Sequence, residues 1–111
     1  GWAQGNRSTI EVTYPTAVGL NGRGHVVPLS ANSAAVWFFS ADNVELLIKV
    51  RDACTLPAQP SYWVFFAATT NVDFTVRVTD THAGVSREYH NLLGQAAVPV
   101  LDTSTFQTCG R

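Results

Sequence analysis

The chain contains two short runs of residues that are apolar on both faces of any strand they form. The first is Val-Trp-Phe-Phe at residues 36–39, and the second is Tyr-Trp-Val-Phe-Phe at residues 62–66. Each run is far shorter than the roughly 20 residues of a membrane-spanning helix. Both runs are rich in the aromatic and β-branched residues that favour strands. We therefore predict two strands that are covered on both sides, and the sequence leaves open whether a long loop such as Gly94–Thr105 or another subunit covers the second side.

Alternation of polar and apolar residues predicts further strands. In residues 73–79, Phe74, Val76 and Val78 share one face, and polar side chains occupy the other. Similar alternation occurs in residues 10–14 and 45–51, where Leu47 is the exception on the polar face. Turn-forming residues separate these segments at spacings of roughly ten residues, which is typical of a β-sandwich.

The fold class follows from this pattern and from the length of 111 residues, which favours one domain. We predict an all-β fold, a single immunoglobulin-like β-sandwich of about seven or eight antiparallel strands with one disulfide. The sandwich is expected to span residues 9–111 and to follow a flexible N-terminal tail at residues 1–8.

The cysteine count indicates the compartment. Cys54 and Cys109 are the only cysteines, and too few histidines lie at ligand spacing for a zinc site. A disulfide that closes so long a loop contributes about 4 kcal/mol in the chain-entropy model. A pair of buried free thiols is the alternative. A disulfide would place the protein in the periplasm, at the cell surface or outside the cell.

Several classes of partner and location are disfavoured by composition. Charged residues make up 14% of the chain and the net charge is −1, so no basic surface for nucleic acid is expected. No apolar stretch is long enough for a membrane span. Because the chain begins at Gly1 and lacks a signal sequence, we expect the mature form of a secreted protein, although an excised domain would look the same. A surface so poor in charge favours association.

No residue pattern identifies a catalytic or metal site, so we predict neither an enzyme nor a bound cofactor or metal. The sequence has no nucleophile elbow and no calcium-binding loop of the EF-hand type. Asp80 and Asp102 each precede a threonine. This placement predicts turns in which the carboxylate accepts backbone N–H groups.

Eight segments, in this order, carry a resemblance to a known kind of domain. They are GRGHVVPL at 22–29, SAAVWFF at 33–39, NVEL at 43–46, KVRDAC at 49–54, YWVF at 62–65, VTDTHAG at 78–84, YHN at 89–91 and DTSTFQTC at 102–109. The pattern resembles an uncharacterised family of secreted bacterial β-sandwich domains that has no assigned activity. The resemblance implies an extracellular β-rich module with its two cysteines paired. In that family the domain usually lies inside a larger chain, whereas we expect it to stand alone here.

Two functions of different kinds are compatible with these observations. The first is an extracellular structural protein, a subunit of a surface filament, pilus-like fibre or sheath whose partners are copies of itself. Assembly would use exchange of an N-terminal strand between subunits or contacts between sandwich faces, and the N-terminal strand pairing within its own sheet is at least as plausible as exchange. The second is a monomeric secreted module that binds a surface glycan or another protein.

The residues predicted to carry subunit contacts belong to the N-terminal segment and to the two aromatic runs. They are Trp2, Ile10, Val12, Tyr14, Trp37 and Trp63. For Trp37 and Trp63, packing in the core is favoured over a sugar-binding platform, because Val, Phe and Ala surround them.

Overall fold

A computed structural model describes residues 7–15, 21–57, 60–69, 72–91 and 99–110. Across these ranges the chain forms nine strands, and no helix long and apolar enough to cross a membrane occurs in them. The strands are β1 (Ser8–Pro15), β2 (Asn21–Arg23), β3 (His25–Pro28), β4 (Ser33–Trp37), β5 (Val44–Asp52), β6 (Tyr62–Ala68), β7 (Phe74–Asp80), β8 (Val85–Asn91) and β9 (Val100–Phe106).

The strands form two antiparallel sheets. The four-stranded sheet has the order β2-β1-β7-β8, and the five-stranded sheet has the order β3-β4-β5-β6-β9. Strands β3 to β6 follow one another as a meander, whereas β1 pairs with β7 and β9 pairs with β6 across long stretches of sequence. The predicted all-β sandwich of antiparallel strands is therefore confirmed.

The core lies between the two sheets and consists of the inward members of each alternating strand. From the four-stranded sheet come Val12, Phe74, Val76, Val78 and Tyr89. From the five-stranded sheet and its adjoining turns come Ala34, Val36, Phe38, Leu46, Ile48, Val50, Val64, Phe66 and Phe106. Burial of this apolar surface provides the main favourable contribution to folding.

The predicted disulfide is present. Cys54 and Cys109 are bonded, with their Cα atoms 5.7 Å apart, so the alternative of two free thiols is wrong. The bond ties the loop that follows β5 to the segment that follows β9. It closes a loop with a sequence separation of 55 residues.

Gly24 allows the chain to pass from one sheet to the other between β2 and β3. Its N–H donates to the carbonyl oxygen of Val12 at 2.7 Å. A Cβ atom at this position would lie 2.9 Å from a methyl carbon of Val36 and 3.2 Å from Phe38. A side chain would therefore push the two sheets apart at this crossing.

The boundary between tail and sandwich differs from the prediction. Residues 1–6 lie outside the described residues, but Arg7 and Ser8 are buried and β1 begins at Ser8. The described fold thus includes the last two residues of the predicted tail, because Asp80 binds the Arg7 side chain.

Candidate interaction face

The outer face of the five-stranded sheet is largely apolar, with Lys49 and Arg51 of β5 as exposed charged members. Alternation along β6 sends Val64 and Phe66 into the core, so Trp63, Phe65 and Ala67 point to the other side. On the neighbouring strands this face continues with Leu47 of β5, Leu101 of β9, Trp37 of β4 and Val27 of β3. Leu101 is 74% exposed and Leu47 is 53% exposed. No described segment covers these two side chains.

A shallow groove crosses this face where β5, β6 and β9 lie side by side. Cross-strand pairing places Leu47 opposite Ala67 and Phe65 opposite Leu101. The groove has a volume of about 220 Å³. Its described walls are all apolar and comprise Leu47, Phe65, Phe66, Ala67, Pro99, Val100 and Leu101. We refer to this feature as the β5–β6–β9 groove.

The two tryptophans of the aromatic runs lie on this outer face and are half-buried, so the preference for core packing was wrong. The Trp37 ring stacks on His25 with the ring centroids 3.8 Å apart, so that partner already covers one of its faces. Trp63 packs against Phe65 at 5.8 Å, and the Arg51 guanidinium lies 5.5 Å from the Trp63 ring centroid.

The other predicted contact residues occupy different surroundings. Val12 is fully buried, and Ile10 and Tyr14 pack against the same core. The Tyr14 ring stacks on Phe38 at 4.9 Å, and its hydroxyl donates to the Phe38 carbonyl oxygen at 3.0 Å. Trp2 lies outside the described residues. The predicted set is therefore divided between the core, which holds the β1 residues, and the apolar face, which holds Trp37 and Trp63.

Strand β1 is held within its own domain by a buried ion pair at its start. The Arg7 guanidinium donates to both carboxylate oxygens of Asp80 at 3.0–3.1 Å and to the carbonyl oxygen of Thr108 at 2.9 Å. It also lies 4.5 Å from the Tyr62 ring centroid. The Thr81 hydroxyl donates to the Arg7 carbonyl oxygen. Removal of β1 from its own sheet would break all of these contacts.

Asp80 also confirms the predicted turn, because its Oδ1 accepts the backbone N–H groups of His82 and Ala83 at 3.1 Å. Burial alone would raise the pKa of Asp80. Hydrogen bonds from Thr108, Arg7 and Ala83 outweigh this effect and hold the pKa below its ordinary value.

Asp102 makes the same kind of turn and joins the edges of the two sheets. Its Oδ1 accepts the N–H groups of Ser104 and Thr105, and its Oδ2 accepts hydrogen bonds from Tyr89 and Arg87 of β8. Burial opposes ionisation here too. The hydrogen bonds from Thr105, Tyr89 and the two amides nevertheless lower the pKa of Asp102 to about 2. Burial, reinforced by the Asp102 carboxylate, raises the pKa of the Tyr89 hydroxyl.

The edge strands carry features that oppose pairing with another chain. Strand β3 is four residues long and ends at Pro28, and β2 is three residues long. Strand β9 follows Pro99, has a register shift opposite residues 62–64, and has two backbone amides bonded to Asp102. Strand β8 exposes Glu88 and His90. Short edges, prolines, bulges and charges are the usual protections against edge-to-edge association. On the outer face of the five-stranded sheet, Lys49 and Arg51 border the apolar surface but do not cover Leu47 or Leu101.

Within the described ranges, no group of three or more His, Cys, Asp or Glu residues is placed to hold a metal ion. No family model, curated protein or solved structure matches this chain, so the resemblance to secreted bacterial domains stays a prediction.

The sequence prediction missed the most exposed members of the apolar face. The sequence did indicate an unusual position at Leu47, because this residue breaks the alternation of polar and apolar residues in its strand. Leu101 carried none, because the segment around it lacks a regular pattern and Pro99 argues against a central strand.

Proposed function

We propose that this protein is an extracellular structural subunit that assembles with copies of itself through the outer face of the five-stranded sheet. The observation that carries this proposal is the contiguous apolar surface around Leu47, Phe65 and Leu101. Exposed apolar patches of this kind usually mark a binding surface. Covering Leu47 and Leu101 would contribute roughly 1–2 kcal/mol each.

Contact between faces fits this domain better than strand exchange does. All four sheet edges are protected as described above, and the Arg7–Asp80 ion pair holds β1 in its own sheet. A second copy of the chain is a partner that needs no other component. The disulfide supports an oxidising location outside the cytoplasm.

Sedimentation velocity over a range of protein concentrations tests the proposal. We expect the sedimentation coefficient of the wild-type chain to rise with concentration and that of Leu101→Lys to stay at the monomer value. Ser86→Lys is the matched control, since it adds the same charge to an exposed position on the four-stranded sheet. This control should associate like the wild type.

The alternative of a monomeric binding module makes the opposite prediction in the same experiment. A wild-type chain that remains monomeric at its highest soluble concentration would contradict the proposal. Titration with polysaccharides, followed by tryptophan fluorescence, then becomes the informative measurement, because Trp63 lies on the same apolar face.

A further inference from the structure

A second exposed apolar feature lies away from the groove. Phe39 follows β4 and is 64% exposed, yet its ring is held in place by neighbouring rings. It packs edge-on against Tyr14 at 5.1 Å and against Phe38 at 6.1 Å. An exposed aromatic side chain that is already fixed loses little conformational entropy on binding, and such residues often dominate interfaces.

Phe39 and the groove are separate surfaces of the same subunit. Phe39 lies beyond the end of β4, against Tyr14 of the four-stranded sheet. Leu101 forms the far wall of the groove on β9, at the edge of the five-stranded sheet. The groove begins at Leu47 on β5, the neighbour of β4, and ends on β9, three strand spacings or about 14 Å from β4. A contact between Phe39 of one copy and the groove of another therefore joins two different patches.

The charges beside the two patches are complementary. Asp42 is exposed three residues after Phe39, and Lys49 is exposed directly opposite Phe65 beside the groove. Neither of them forms an ion pair with another described residue. Bringing Phe39 into the groove of a second copy would place a carboxylate and an ammonium group on adjoining surfaces.

The extent of the apolar face also favours a contact that extends beyond it. Five strands of about seven residues give a flat footprint of about 550 Å². A stable interface buries about 800 Å² on each partner. The flat face is smaller than that area, so a contact that also uses a surface outside the face would bury more.

We propose that the subunits join head to tail, with Phe39 of one copy inserted into the β5–β6–β9 groove of the next. This inference rests on the proposed self-assembly and specifies its direction. A contact between two different patches joins subunits head to tail, and it produces an open filament where the rotation between subunits does not close a ring.

Mixing two complementary variants tests the direction of assembly. Phe39→Ser removes the inserted side chain and keeps the groove, whereas Leu101→Lys blocks the groove and keeps Phe39. We expect each variant alone to associate at least about tenfold more weakly than the wild type. An equimolar mixture should form a one-to-one dimer and stop there, since the dimer retains only the two inactive patches.

Three results would overturn the inference, and they are distinguishable. If Phe39→Ser assembles like the wild type while Leu101→Lys does not, the groove contacts a surface other than Phe39. The proposed self-assembly is then retained, and the head-to-tail contact is rejected. If the mixture forms no heterodimer, the two patches do not meet. If the wild type never assembles, the proposed function fails as well.

Two further sets of variants separate a specific contact from a general effect. Leu29→Ser is the matched control, because Leu29 is 63% exposed but lies in the turn between β3 and β4. It should leave assembly unchanged, and a loss as large as that of Phe39→Ser would contradict the inference.

Asp42→Lys and Lys49→Asp should each weaken assembly, and the double variant should restore it. A double variant weaker than either single one would contradict the pairing of these charges.

Discussion

The outer faces of the two sheets are built on the same pleated backbone but have opposite chemistry. On the four-stranded sheet, cross-strand pairing sets Thr9 beside Thr79, Glu11 beside Arg77 and Thr13 beside Thr75. On the five-stranded sheet, most of the equivalent positions around the groove hold leucine, alanine and aromatic residues, and Lys49 and Arg51 of β5 are the exposed charged members. The polar face is satisfied in water, whereas the apolar face gains free energy when it is covered.

Charges on the polar face are also locally balanced. Arg23 and Glu11 form an exposed ion pair at 3.3 Å, and Arg77 lies opposite Glu88 on the neighbouring strand. The His90 ring nitrogen lies 2.7 Å from an Asp73 carboxylate oxygen. Such a surface has little to gain from a partner. The contrast therefore supports the proposal that the five-stranded sheet carries the interaction surface.

The largest effects are expected on the inner faces, where the two sheets should not differ. Phe74→Ala in the four-stranded sheet and Phe66→Ala in the five-stranded sheet should each lower the free energy of unfolding by about 3–5 kcal/mol. Both side chains are buried in the same core. Urea unfolding of the two variants measures this, and a small effect in one sheet alone would show that the core is not shared.

Removing the buried ion pair should lower the free energy of unfolding strongly, whereas removing the exposed ion pair on the polar face should change it little. Asp80→Asn leaves the Arg7 charge buried without its partner and should cost about 3 kcal/mol. Glu11→Gln, which removes the exposed pair with Arg23, should change stability by less than about 1 kcal/mol. Equal effects in urea unfolding would mean that burial does not distinguish the two pairs.

Acid should weaken the connection between the sheet edges at Asp102. The pKa of this group is lowered from its ordinary value of 3.8 to about 2 in the folded chain. The group therefore adds about 2 kcal/mol of stability above pH 4, and this contribution is lost as the pH falls through about 2. The stability difference between wild type and Asp102→Asn should shrink over this range. A difference that stays constant with pH would contradict the assignment.

Substitutions on the outer faces of the two sheets are expected to have the smallest effect on stability. These faces are also where the two sheets differ most in polarity. Leu101→Thr and Thr79→Val exchange apolar and polar character between the two sheets. Each should change the free energy of unfolding by less than about 0.5 kcal/mol. Leu101→Thr should raise solubility and Thr79→Val should lower it. Solubility in ammonium sulfate measures this, and identical values for both variants would remove the contrast between the faces.

Local features of this fold were predictable from the sequence, and long-range ones were not. The turns at Asp80 and Asp102 depend on amides two and three residues away, so the neighbouring sequence was enough to predict them. Arg7 is separated from Asp80 by 73 residues, and nothing in the chain marks that pairing. Arg87 meets Asp102 only because the edges of two different sheets lie together.

The aromatic runs show a different limit. In residues 73–79 the polar side chains mark which positions face water. The run at 62–66 contains no charged or strongly polar residue that would show which alternate positions face outward. The outward position of Trp63 and Phe65 was therefore not evident. The disulfide could be predicted from the cysteine count, and the sandwich from the two-residue alternation of its strands. Neither prediction requires knowing which alternate residues face outward.

The hydrogen bond from Arg7 to the Thr108 carbonyl oxygen brings the first described residue next to the last described segment of the chain. The two ends of the fold therefore meet at one pole, and Tyr14 and Phe39 lie at the opposite one. A short covalent linker would be enough to join residues 7 and 110, and new ends could be opened in the exposed turn between β3 and β4, which leaves the Asp80 turn intact. We expect such a circular permutant to keep the same two sheets, since the permutation alters the order of connection and leaves every strand pairing in place.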